Sequence, residues 1–329
     1  MSLKRLIFTA ISIFILSACG SSAPPKVATT EKSSAWFSIL VDDSSDWQIR
    51  IRPRDLAQDP VFGPVLQRAE REASAAIAQA RLGETTLQAL EQSDVLVFAV
   101  RTAKPLDALL VVGGAPASTS PDAMVDDQGT PLWRHVDAPG RSVEEYVRAI
   151  PSAPDQPAVR LVALPGRTWI IAMGGAVDRM ARALSISSPG PYRPDASTGG
   201  HDLVDILVVG ELLVPLKSAR TELLQPLLAP LTHVALRVDG GRAPAAHLVL
   251  TYRDESAALH AEDFLQTLKT VFEAKYPKFQ ALIEAAVVTR RQRDLAVDSA
   301  IPGGLVHMLL EAGHATRPDV PVTPNPNTL

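Results

Sequence analysis

One cysteine, Cys19, stands among 329 residues. No intrachain disulfide can form, so a folded body must be held by burial of apolar side chains alone. Apolar residues make up 46% of the chain and aromatics only 5%, which makes that core largely aliphatic. The formal net charge of −4 is a modest solubility charge without the basic footprint of a nucleic-acid binder, and nucleic acid is excluded as a partner on that ground.

The surroundings of Cys19 explain why one thiol is kept. Lys4 and Arg5 are followed by the apolar run "LIFTAISIFIL", Leu6 to Leu16, and then by Ser17, Ala18, Cys19 and Gly20. A basic start, a short apolar stretch and a small-residue end describe a secretory signal. The run is too short for a spanning helix, which needs about 20 residues. Residues 1–18 are therefore expected to be a signal peptide.

"LSAC", Leu16 to Cys19, resembles the lipobox of bacterial lipoproteins. The resemblance covers residues 1–20 and leaves the rest of the chain unassigned. It implies that the Cys19 thiol carries a diacylglycerol, that cleavage falls before Cys19, with Leu16, Ser17, Ala18 and Gly20 read by the processing machinery, and that the new amino group receives a further acyl chain such as palmitate. Gly20, where the enterobacterial sorting rule places an aspartate for inner-membrane retention, points to the outer membrane. Each buried CH₂ contributes about 0.8 kcal/mol and one chain holds only reversibly, so several chains on one residue give a firm anchor. The expected setting is the cell envelope, with the membrane as a partner through the lipid.

Residues 19–34, "CGSSAPPKVATTEKSS", are small, polar and proline-bearing, the composition of a flexible tether. Residues 314–329 carry four prolines and read as a disordered tail. Residues 187–200, "SSPGPYRPDASTGG", lack periodicity and read as a linker between one half at 35–186 and another at 201–313. The halves show similar runs in similar order: "DVLVFAVR" and "DALLVVGG" in the first, "THVALR" and "AHLVLTYR" in the second. Helical spacing predicts a helix over 256–275 with Leu259, Leu265, Leu268, Val271 and Phe272 on one face, and further helices over 64–81 and 279–293. The expected fold class is α+β: antiparallel sheets with helices over one face of each, in two similar α+β halves.

Neither GxGxxG nor GxxxxGK[ST] occurs; "GGA" follows strands at Gly113 and Gly174 but lacks the spaced glycines of a phosphate loop. GxSxG, SxxK and HExxH are also missing. His233 and His247 lie on strands expected to pair. His135 shares a strand face with Trp133 and Asp137, near Glu144 and Glu145, where an acid/base pair is conceivable. The turn Asp42-Asp43-Ser44-Ser45-Asp46 lacks calcium-loop spacing. Trp36 and Trp47 flank it, as core anchors or as a partner surface. No catalytic residue, metal or cofactor is assigned. The leading reading is a non-enzymatic binding or scaffolding protein with an unidentified protein or small-molecule partner. The alternatives are a periplasmic hydrolase with a site assembled from distant residues, and a binder of a small apolar ligand.

Overall fold

A computed structural model describes residues 40, 45–64, 84–101, 107–126, 128–137, 143–149, 157–186, 202–209, 225–275 and 284–301. The signal segment, the tether, the linker, the tail, the expected helix at 64–81 (beyond Pro64) and Cys19 itself lie outside them.

Twelve strands form one continuous antiparallel sheet. They are β1 (Trp47–Ile51), β2 (Val95–Arg101), β3 (Asp107–Gly113), β4 (Trp133–Val136), β5 (Glu144–Arg148), β6 (Val159–Leu164), β7 (Thr168–Met173), β8 (Asp202–Val209), β9 (Leu231–Asp239), β10 (Ala245–Tyr252), β11 (Ala286–Arg291) and β12 (Asp294–Ala300). Their spatial order is β11-β12-β10-β9-β8-β1-β2-β3-β7-β6-β5-β4. The described helices are α1 (Pro53–Gln58), α2 (Glu84–Glu91), α3 (Gly175–Ile186), α4 (Gln225–Leu228) and α5 (Glu255–Lys275).

This corrects the expected fold class. The described residues are predominantly one large antiparallel sheet, and the expected arrangement of separate helix-covered sheets in two α+β halves is not what forms. The physical reason lies at the β1–β8 seam. Trp47 to Ile51 pair with Val208 to Val204, so backbone hydrogen bonding runs unbroken from one half into the other. What the halves do share is strand order. Outward from the seam it reads β1-β2-β3-β7-β6 on one side and β8-β9-β10-β12-β11 on the other, with the β5–β4 hairpin added at the first edge.

The helices also differ from a one-face cover. Neighbouring residues of a strand point to opposite faces, and cross-strand partners share a face. Ile49 and Val97 therefore face opposite ways, because Val97 pairs with Arg50. Ile49 belongs to the core that packs Val234, Leu236, Leu248, Leu250, Leu295 and Val297 against Ala258, Ala261, Leu265 and Leu268 of α5. Val97 belongs to the core that packs Leu109, Val111, Ile170 and Ala172 against Ala176, Met180 and Ala183 of α3. The main core of the second half thus lies on one face of the sheet and that of the first half on the other. A third cluster, with Val112, Met124 and Trp169, lies where α2 and the β3–β4 connection meet the face of Ile49.

Strict alternation explains β10, where Ala246, Leu248, Leu250 and Tyr252 are buried and the intervening residues are half-exposed. α5 starts where Asp254 accepts the Ala257 N–H at 2.8 Å, as an N-cap should. Its buried stripe departs from the expected one: Leu259 and Val271 are 43% and 52% exposed, and alanines 258 and 261 take the inner positions. Of the expected helix over 279–293, residues 279–283 lie outside the described residues, 284–285 are helical, and Ala286–Arg291 form strand β11, which turns through Gln292, at φ 52°, into β12. Leu40 is helical and fully buried. Asp59 ties the turn after α1 to the β9–β10 turn. Its Oδ1 accepts the N–H groups of Val61 and Phe62, and its Oδ2 accepts that of Gly241 at 2.6 Å.

Candidate functional site: a charged row across the sheet

The largest organised polar feature among the described residues crosses five strands on the face opposite α5. Arg50 of β1 stands opposite Asp205 of β8, Asp205 opposite Arg237 of β9, Arg237 opposite His247 of β10, and His247 opposite Asp298 of β12. Directly opposed side chains lie about 5 Å apart, so the five form one row. Asp202 and Asp239, at the ends of β8 and β9, flank it.

The contacts run the length of the row. Arg50 Nε donates to Asp205 Oδ2 at 2.7 Å, and Arg50 Nη2 lies 3.6 Å from Asp202 Oδ2. Arg237 pairs with the almost fully buried Asp202 and donates through Nε to Asp239 Oδ1 at 3.0 Å. His247 meets Asp298 Oδ1 through Nδ1 at 2.6 Å and Asp239 Oδ2 through Nε2 at 3.2 Å. The hydrogen bond to Asp239 and then that to Asp298 raise the imidazole from 6.5 to about 9, against the opposing effect of burial. The His247 hydrogen bond, with Arg237 beside it, holds Asp239 well below the usual carboxylate range although burial works the other way. At neutral pH the row sets three cations against four carboxylates.

An imidazolium with both nitrogens committed to carboxylates is a donor only, so His247 in this state is no general base. What the row does is bind strands: it joins the first half, through Arg50, to four strands of the second.

The residues singled out from sequence fall elsewhere. β9 and β10 pair as expected, but His233 stands opposite Thr251 and His247 opposite Arg237. Four ladder positions, roughly 13 Å, separate the two histidines along the strands. His135 Nδ1 lies 3.5 Å from Asp137 Oδ1, with both side chains exposed, and its ring meets the edge of Tyr146 at a centroid distance of 5.2 Å. Tyr146, 1% exposed, donates to Glu144 Oε2 at 3.0 Å. Burial first, then the bond to Glu144, pushes its phenol above the ordinary range. Glu145 points to the other face and pairs with Arg160. His135 and Glu145 are thus not brought together.

Both "GGA" turns are filled by the chain's own carboxylates. A Cβ on Gly114, at φ +68°, would overlap the carboxylate of Asp94, which itself pairs with Arg54 at 2.5 Å. Gly175, at the start of α3, faces Asp107, and Arg179 of the same helix donates to Asp107 Oδ1 at 2.7 Å. A carboxylate already sits where a phosphate would approach a helix start.

Trp47 packs half-buried against the α5 core, an anchor rather than a displayed ring. Trp36, Asp42, Asp43, Ser44, Leu16, Ser17, Ala18, Cys19 and Gly20 lie outside the described residues. Among the described residues no three His, Cys, Asp or Glu side chains are arranged to hold a metal ion, and no helix is long and apolar enough to cross a membrane. No family model matches the chain, and neither a curated protein nor a solved structure matches it.

The charged row was not foreseen. Its members sit at alternate positions of five strands, a signal visible in sequence, but their pairing depends on register across strands as distant as Arg50 and Asp298.

Proposed function

We propose that the chain is a lipid-anchored cell-envelope protein, held at the outer membrane by acyl chains on Cys19, whose sheet binds or scaffolds a partner rather than performing a reaction. The single observation that carries this reading is "LSACG": the chain's sole cysteine follows an apolar run of signal-peptide length and three residues of lipobox type. The architecture supports the second part. One hydrogen-bonded sheet through both halves, cross-linked by a charged row, is a stiff platform rather than a cleft between two lobes. The partner is a protein or small molecule met at the membrane surface.

The test is intact-mass analysis of the protein from a bacterial host with lipoprotein processing, beside Cys19→Ser. The expected wild type begins at Cys19, carries a diacylglycerol and a further acyl chain, and floats with outer-membrane vesicles. The expected variant acquires no lipid and still begins at Met1, so only the uncleaved apolar run Leu6 to Leu16 is left to hold it. A wild type that carries no added lipid or still begins at Met1, or a Cys19→Ser variant that is lipidated and cleaved before residue 19, overturns the anchor. In-cell crosslinking with partner identification then tests the binding role.

A further inference from the structure

We propose that His247 is a proton-held clasp: its imidazolium ties β9 to β12 across β10, and loss of that proton loosens β10 and β12 while the rest of the sheet stays closed.

The geometry alone sets the protonation state. Both ring nitrogens face carboxylate oxygens, Asp298 Oδ1 at 2.6 Å and Asp239 Oδ2 at 3.2 Å. A carboxylate only accepts, so each nitrogen must carry a hydrogen, and only the imidazolium carries both. A neutral ring would turn a lone pair towards one of the two oxygens. The three residues stand on three neighbouring strands, so the clasp spans two backbone ladders at once.

The other groups facing it sharpen the response. From β9, Arg237 stands across the ladder and is shared with Asp239 and Asp202. From β8 come Asp202 and Asp205, and from β1 Arg50, which is already engaged by them. From β11 the residue opposite Asp298 is the uncharged Val287. α5 packs on the opposite face. Neutralising His247 therefore leaves two arginines against four carboxylates, with Asp298 losing the cation that its own contacts supply.

The sign follows. The folded imidazole is raised from 6.5 to about 9, so the clasp is complete below 6.5, weakens as the pH rises through that interval and is gone above it. β12 is joined to the sheet through β10, and β11 hangs on β12. Release would loosen this outer part while β2, β3, β6 and β7 keep their own core around α3. The clasp does not depend on the lipid anchor.

The test is hydrogen exchange by mass spectrometry on the full mature chain between pH 6 and 10, with imidazole nitrogen shifts read by NMR. Peptides covering 245–252 and 294–300 are compared with one covering 95–113. Expected is a doubly protonated His247 at pH 7 and a midpoint near 9. The opening constant of the outer strands should rise by up to about tenfold per pH unit between 7 and 9, relative to the reference peptide. His247→Gln should open more at pH 7 and lose this dependence. Should that variant fail to fold, Asp298→Asn keeps the ring and should lower the midpoint by about one pH unit or more. A neutral His247 at pH 7, an unmoved midpoint in Asp298→Asn, an unchanged dependence in His247→Gln, or outer and reference peptides that move together overturns the clasp.

Discussion

The carboxylate of Asp107 lies against Gly175: a Cβ built on that glycine would come within 2.8 Å of Asp107 Oδ2. Asp107 opens β3, Gly175 opens α3, and Arg179 one turn further on holds the same carboxylate from below. The glycine lets the helix start approach a strand end closely enough to bury an ion pair.

Gly175→Ala should therefore destabilise the protein by about 1–3 kcal/mol, the usual cost of overpacking, because Asp107 cannot withdraw without breaking its pair with Arg179. Thermal melts of wild type and variant measure it. Gly129, where nothing lies within 4 Å, is the control: its φ of +79° makes alanine strained there for backbone reasons alone, by about 1 kcal/mol. Equal melting of Gly175→Ala and wild type would show that the contact is not made.

Arg179 and Asp107 are 5% and 6% exposed, so each needs the other. Arg179→Met leaves a buried carboxylate unpaired and should cost about 3–5 kcal/mol in urea denaturation. Adding Asp107→Leu removes that charge, and the double variant should regain much of the loss. A double variant as weak as the sum of the two singles would rule out coupling between them.

Two buried tyrosines predict opposite signs. Tyr252, fully buried in the α5 core, has a hydroxyl without a hydrogen-bond partner among the described residues, whereas Tyr146 donates to Glu144. Tyr252→Phe should be neutral or stabilising by up to about 1 kcal/mol, because it removes an unpaired polar group from an apolar surrounding. Tyr146→Phe should cost about 1–2 kcal/mol, since its hydroxyl bonds a carboxylate. Chemical denaturation of the pair decides, and a stabilised Tyr146→Phe contradicts the hydrogen bond.

The inner face of α5 differs from the one its spacing suggests. Leu265, 2% exposed, should lose about 2–5 kcal/mol on truncation to Ala. Leu259, 43% exposed, should change stability by no more than about 0.5 kcal/mol. A comparable loss at both positions would place Leu259 in the core after all.

Much of the local structure was legible. The alternation in "AHLVLTYR" and "THVALR" marks β10 and β9, and the cap at Asp254 and the apolar repeat after it mark α5, because periods of two and 3.6 are local properties of the backbone. The misreadings share one cause. "LIEAAVVTRRQR" has the composition of a helix end, yet Val287, Val288 and Thr289 are β-branched and pair with a strand whose face was already apolar. On α5, Ala258 and Ala261 are fully buried and Leu259 is 43% exposed, because the side of the helix that meets the sheet is set by packing and not by its own apolar repeat.

The sequence by itself determined where β9, β10 and the long helix run, that no disulfide can hold the body, and that Cys19 follows a lipobox-like segment. Only the tertiary structure decided that both halves share one sheet, that their main cores lie on opposite faces, and that Arg50, Asp205, Arg237, His247 and Asp298 stand in line. Periodicity is written into a few consecutive residues, whereas strand register is set by which distant strand buries a given apolar face, and one residue of slip would turn every charge in the row to the other side.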